Sequence, residues 1–140
     1  MQTAERKCVM VIDEALPLGI IANIAAILGT TLGRQQPDLV GADVTDKTGN
    51  EHLGIVDIPI PILKGNARLI KEIREKLYET AYQELLTIDF SDVAQSCNVY
   101  DEFICKMSGT EAEDLNYFGI AICGSKKLVN KLTGSIPLLR

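Results

Sequence analysis

The sequence predicts an α/β domain, most simply a three-layer α/β/α sandwich around a mixed four-stranded sheet. Two observations carry this. Short apolar runs of strand length alternate with segments whose apolar residues recur every three or four positions. No composition break, repeat or low-complexity stretch divides the chain, and 140 residues is the length of one domain, so residues 1–140 read as a single unit. With 46% hydrophobic and 24% charged residues, global disorder is ruled out.

Met1 to Lys7 is a polar, mixed-charge lead-in, and Lys7–Asp13 (KCVMVID) is a short apolar run ended by acids, hence a buried first strand. Pro17 suits the first turn of a helix, where its missing N–H costs nothing. From there Ile20, Ile21, Ile24, Ala25, Ile27, Leu28 and Leu32 form one apolar face, and Gly33 is the expected stop. Gly19, Ala22, Ala25 and Ala26 are small enough to let that helix lie close to a sheet. Gln35–Leu53 is polar and turn-rich, a long surface connection with room for a short hairpin.

Gly54–Leu63 (GIVDIPIPIL) alternates isoleucine with Asp57, Pro59 and Pro61. Two prolines remove two ladder donors, so this segment is an edge strand or an extended arm. Asn66 can cap a helix over Ala67 to Thr80, with Leu69, Ile70, Ile73 and Leu77 inward and Lys71–Glu75 and Glu72–Lys76 as outward pairs. Gln83–Phe90 is a third strand, and Ser91 reads as the N-cap of a helix through Val93, Ala94 and Cys97 toward Met107. Gly109 ends that region, and Thr110 to Glu113 forms a capped acidic turn. Tyr117–Cys123 (YFGIAIC) carries no charge and is the best central strand. A last helix opens at Gly124-Ser125, closes at Gly134, and leaves an apolar tail, Ser135–Arg140, to pack back on the body.

No basic region followed by an apolar core and cleavage site opens the chain, and the apolar stretch Leu16–Leu32 is interrupted by Gly19, Asn23, Gly29, Thr30 and Thr31. A cytoplasmic protein without a membrane span is therefore expected. Cys8, Cys97, Cys105 and Cys123 lack metal-ligand spacing, so no metal site is expected. Cys8 and Cys123 sit in strand-like runs and read as buried, reduced thiols.

The one histidine, His52, lies in a polar loop without a G-x-S-x-G elbow in the chain, and reads as a solvated side chain rather than a catalytic base. Gly119 to Lys126 has the glycine spacing of a phosphate loop, but its Lys and Ser are in the wrong order and Ile-Ala-Ile-Cys must be strand. Lys126 and Lys127 beside a helix start leave a weaker anion-site reading, against plain capping. Ligands in α/β sheets gather at strand ends. Asp13 and Glu14 follow the first strand; Asp89, Ser91 and Asp92 close the third. If those strands are parallel neighbours, their carboxyls meet near the first helix; capping alone is the alternative for Ser91 and Asp92.

The C-terminal stretch Phe118-Gly119-Ile120-Ala121-Ile122, Leu128 to Gly134 and Leu138-Leu139 resembles the type II peptidyl-tRNA hydrolases. Pro59 to Leu63, Asp89-Phe90-Ser91 and Lys131 to Arg140 resemble more closely an uncharacterised bacterial relative of theirs, the domain-of-unknown-function family numbered two-thousand. The resemblance implies the α/β/α sandwich and a homodimer. In the hydrolases the start of the first helix carries an essential lysine. Here Leu16-Pro17-Leu18-Gly19-Ile20-Ile21 keeps the glycine and has no lysine. Asp89 matches the hydrolase aspartate, with Asp92 beside it, and Asn116 stands where a threonine is expected.

Ester cleavage on a polyanion needs oriented water and stabilised oxyanion charge. An apolar Leu-Gly-Ile-Ile supplies neither, and a formal charge of −5 also argues against tRNA. The sequence therefore reads first as a small-molecule-binding or interaction protein with no cofactor. Its site is Asp13, Gly19, Asn23 and Asn116 for the ligand, with Asp89 and Asp92 as the carboxylates. The runner-up is an ester or amide hydrolase in which Asp89 or Asp92 orients water; a third reading is a structural homodimer subunit.

Overall fold

The computed structural model describes residues 5–140; Met1 to Ala4, the first part of the polar lead-in, lie outside the described residues. The elements run β1 (Arg6–Asp13), α1 (Leu18–Gln35), β2 (Val44–Thr45), β3 (Glu51–His52), β4 (Ile62–Gly65), α2 (Ala67–Leu77), β5 (Leu86–Ser91), α3 (Asp92–Gln95), α4 (Tyr100–Ser108), β6 (Tyr117–Ser125) and α5 (Lys126–Thr133). The main sheet has the order β4-β1-β6-β5, with β1 and β4 parallel and β6 antiparallel to both β1 and β5. This is the expected mixed sheet, and the uncharged run Tyr117–Cys123 is central in it.

Strand alternation divides the core. Met10, Ile12, Phe90 and Ala121 meet Ile24 and Leu28 of α1 on one face. Val9, Val11, Ile120 and Ile122 meet Ile70, Ile73 and Leu77 of α2 and Val129 of α5 on the other. The close approach of α1 comes from the sheet rather than from the helix's small residues. Gly19, Ala22 and Ala26 are exposed, whereas a Cβ on Gly119 of β6 would lie 2.6 Å from Ile24 Cγ2. Nor does α1 stop at Gly33. It runs to Gln35, because Pro37 biases the residue before it away from helical backbone and ends the turn at Gln36.

Between α1 and β4 the chain makes the short β2–β3 hairpin, turned at Gly49 with φ +104°. The proline-bearing segment pairs only from Ile62 onward, so both prolines fall outside the ladder. The tail closes the β4 edge: Lys64 N–H donates to Pro137 O and Leu139 N–H to Ile62 O. On α2 the ion pair is Arg68–Glu72 at 3.1 Å, not Lys71–Glu75 or Glu72–Lys76; Lys71 reaches the Glu113 carbonyl instead.

Two expectations are corrected by register. β1 and β5 are not neighbours; β6 lies between them, so their C-terminal ends point the same way one strand apart. Cys8 and Cys123 are not separate buried thiols. The β1–β6 register sets them opposite each other, with Cα atoms 4.2 Å apart, and they are joined as a disulfide.

Candidate functional site

The sheet end where β1 and β5 finish holds part of the predicted constellation. Ser91 caps α3, accepting from Ala94 N–H, and β5 ends directly in that helix. Asp92 then binds the strand entering on the other side: its backbone N–H donates to Asn116 O at 2.8 Å, and its Oδ2 accepts from Asn116 Nδ2 at 3.2 Å. Asp92 Oδ1 also takes Val93 N–H at 2.9 Å. These contacts make a latch between β5–α3 and the start of β6. Asp13, across β6, accepts from Ala15 N–H at 2.9 Å and turns the chain toward α1. Gly19 and Asn23 are exposed on α1.

Asp89 leaves this group. Alternation along β5 sends it to the α2 side, where its Oδ2 accepts from Arg74 Nε at 2.8 Å. The Arg74 guanidinium lies 4.1 Å from the centre of the Tyr78 ring. Tyr117 is buried beside this pair, and desolvation, reinforced by the Asp89 charge, pushes its phenol up to about 12. A cavity of about 280 Å³ opens here between α2 and the Ala112–Glu113 turn.

A larger cavity, about 390 Å³, lies along the β5 edge. Ile27 and Thr31 of α1 form one wall, and Ile88, Asp89 and Phe90 of β5 the floor. Ala94 of α3, the Cys97–Val99 link and Tyr100 and Phe103 of α4 form the rest. The volume falls in the range of small-molecule sites, and the walls are mainly apolar with a few polar groups. Asp89 is the one predicted site residue that lines it. Asp13, Gly19, Asn23, Asp92 and Asn116 line none of the three cavities described here.

Two departures from the expected helices make the cavity walls. Ile27 was placed on the buried helical face, but only Ile24, Leu28 and Leu32 are fully covered. The stripe is wider than the sheet needs, and its surplus edge is the cavity wall. The expected helix from Ser91 toward Met107 breaks after Gln95 and resumes at Tyr100, and that break forms the opposite wall.

Two other candidates stand apart. His52 Nε2 lies 2.8 Å from Asp46 Oδ2 on the exposed hairpin, and that bond, with backbone N–H groups from Thr48, Gly49 and Asn50, holds the Asp46 carboxyl below the usual carboxylate range. No hydroxyl or thiol is hydrogen-bonded to this pair among the described residues. Lys126, Lys127, Ser125 and Asn130 surround a shallow depression of about 440 Å³, but Ser125 makes no side-chain cap.

Among the described residues, no helix is long and apolar enough to cross a membrane. The family model described as protein of unknown function DUF2000 matches residues 6–140. No curated protein matches the chain significantly. A solved structure of Atu0240, a protein of unknown function from Agrobacterium tumefaciens strain C58, superposes with a TM-score of 0.85 at 16% identity, over 96% of this chain and 97% of that one. At that identity the likeness speaks to the fold.

Proposed function

The chain belongs to the DUF2000 family, and on that premise we propose that it is a binding module for a small, mainly apolar molecule seated in the β5-edge cavity. One observation carries this: a roughly 390 Å³ concavity walled by Ile27, Ile88, Phe90, Ala94 and Phe103, with Thr31 and Asn98 as hydrogen-bonding groups. The Asp92–Asn116 latch sets the position of α3, and so of one wall. Asp92 and Asn116 thus act by positioning rather than by touching ligand.

The resemblance to type II peptidyl-tRNA hydrolases supports an ancestry for the fold, not their activity. The segment Leu16 to Ile21 has no lysine to meet a polyanion. Asp89 Oδ2 is paired with Arg74, and Asp92 accepts from Val93 and Asn116, so both carboxylates are engaged in structural contacts. The dimer implied by the resemblance stays part of this reading and is tested by light scattering.

The uncharged fluorophore N-phenyl-1-naphthylamine tests the site. We expect saturable binding to the wild type, amide shifts confined to Thr31, Ile88, Ala94 and Phe103, and at least tenfold weaker binding to Ala94→Trp, which fills the cavity. Equal binding to Ala94→Trp, or shifts centred elsewhere, overturns the proposal. So does salt-sensitive binding of tRNA together with turnover of peptidyl-tRNA.

A further inference from the structure

We propose that Cys8 and Cys123 form a reversible dithiol–disulfide couple, gated by the segment Gln36–Val40 that Arg6 clamps over it. The pairing follows from register. Cys8 and Cys123 are cross-strand partners on the two central strands, β1 and β6, and their side chains share the α1 face. Their Cα atoms are 4.2 Å apart, the two are joined as a disulfide, and each cysteine is almost wholly enclosed. Leu32 from the end of α1 and Leu39 from the following 3₁₀ turn cover them.

That cover is held from below by the residue two positions before Cys8 on the same strand face. Arg6 Nη1 donates to Gln36 Oε1 at 3.0 Å and to Asp38 Oδ2 at 2.8 Å. The Arg6 side chain is 10% exposed while Asp38 is 70% exposed. Among the described residues its Nε is buried without a partner, and both hydrogen bonds of the guanidinium go to the cover. Leu39 belongs to the 36–40 segment, so opening that segment uncovers the pair on the α1 face, beside Ile58 and Ile60; the other face of the sheet is filled by α2 and α5.

The chemistry balances with an external low-molecular-weight disulfide as oxidant. One cysteine thiolate attacks a sulfur of that disulfide, forming a mixed disulfide and expelling one small thiolate. The second cysteine thiolate attacks the protein-bound sulfur, closes Cys8–Cys123 and expels the other. Two electrons pass to the oxidant, and the two thiol protons leave with the released thiols. A small dithiol reverses both steps. The closed bond joins residues 115 apart in sequence, so it restricts the unfolded chain strongly. Ile88 packs on the cysteine cluster and also lines the β5-edge cavity. The inference stands independently of any ligand there.

The wild-type protein is equilibrated with glutathione disulfide or with dithiothreitol, denatured, alkylated and weighed. Of the four cysteines, two should be blocked after oxidation, with Cys8 and Cys123 peptides linked, and all four should be alkylated after reduction. Reduction should lower Tm by on the order of 10 °C. Asp38→Asn, at an exposed position, should speed native-state oxidation about three- to tenfold without changing the linked product. Asp46→Asn on the hairpin should leave the rate unchanged. Four free thiols after oxidation, or a link involving Cys97 or Cys105, overturns the couple. An unchanged rate in both Asp38→Asn and Arg6→Gln overturns the gate.

Discussion

The two edges of the main sheet are treated in opposite ways. At β4 the tail adds backbone hydrogen bonds from Lys64 to Pro137 and from Leu139 to Ile62, and Leu63 bridges Leu138. At β5 no further strand pairs among the described residues. The edge is faced by a cavity and by α4, a helix with no buried residue that leaves Tyr100 and Ile104 mostly exposed. Unpaired edges invite unwanted pairing, and proteins that leave one open usually cover or use it. The sealed edge is therefore a stability device, while the open one carries the cavity in which the proposed ligand would sit.

The largest expected effect tests the sealed side. Removing residues 135–140 strips the two tail hydrogen bonds and uncovers Leu63. Folding free energy should fall by roughly 2–4 kcal/mol in urea denaturation. The matched change at the open side, Ile104→Asp, should stay within about 0.5 kcal/mol. Equal losses would erase the distinction, since α4 would then be as much a part of the core as the tail.

How much of this contrast was legible is set by the kind of signal each region sends. Tyr117–Cys123 announces a central strand because burial on both faces excludes charge. The tail's apolar Ile136, Leu138 and Leu139 announce packing, and Asn66 and Ser91 announce caps that form as expected. Those are local signals. The Cys8–Cys123 pairing depends on the register of strands more than a hundred residues apart, which no local pattern encodes. Asp13, Asp89 and Asp92 all lie near strand ends, but alternation along β5 turns Asp89 to the other face. The break at Ser96–Val99 leaves no proline or glycine as a marker, so the cavity wall it makes was read as continuous helix.

A smaller effect sharpens the open side. Arg74→Ala leaves the Asp89 carboxylate, only 25% exposed, without its partner and removes the cation from Tyr78. A cost of about 1–2 kcal/mol is expected, with much of any wild-type Coulomb gain screened by solvent. Asp89→Asn with Arg74 intact should keep most of the wild-type stability, since an amide oxygen still accepts from Arg74 Nε. If the double variant Arg74→Ala, Asp89→Asn is no better than Arg74→Ala alone, the stranded carboxylate is not the cause.

The smallest effect is confined to alkaline solution and reports on Tyr117, where β6 begins beside β5. Burial and the nearby Asp89 charge favour the neutral phenol, raising it from 10.0 to about 12 in the folded chain. The unfolded chain therefore gives up this proton first. Between pH 10 and about 12 the folded state binds more protons, so stability falls as pH rises; below pH 10 the contribution is complete and flat. The measurement is the stability difference between wild type and Tyr117→Phe across that window, which isolates this one group. It should be constant below pH 10 and shift against the wild type above it. Adding Asp89→Asn should bring the Tyr117 phenolate absorbance to a lower pH, because the Asp89 charge is one of the influences that raise it. Should the phenol titrate as free tyrosine in the wild type, the open edge admits water as far as Tyr117, and the floor between the two cavities is wetter than its apolar walls imply.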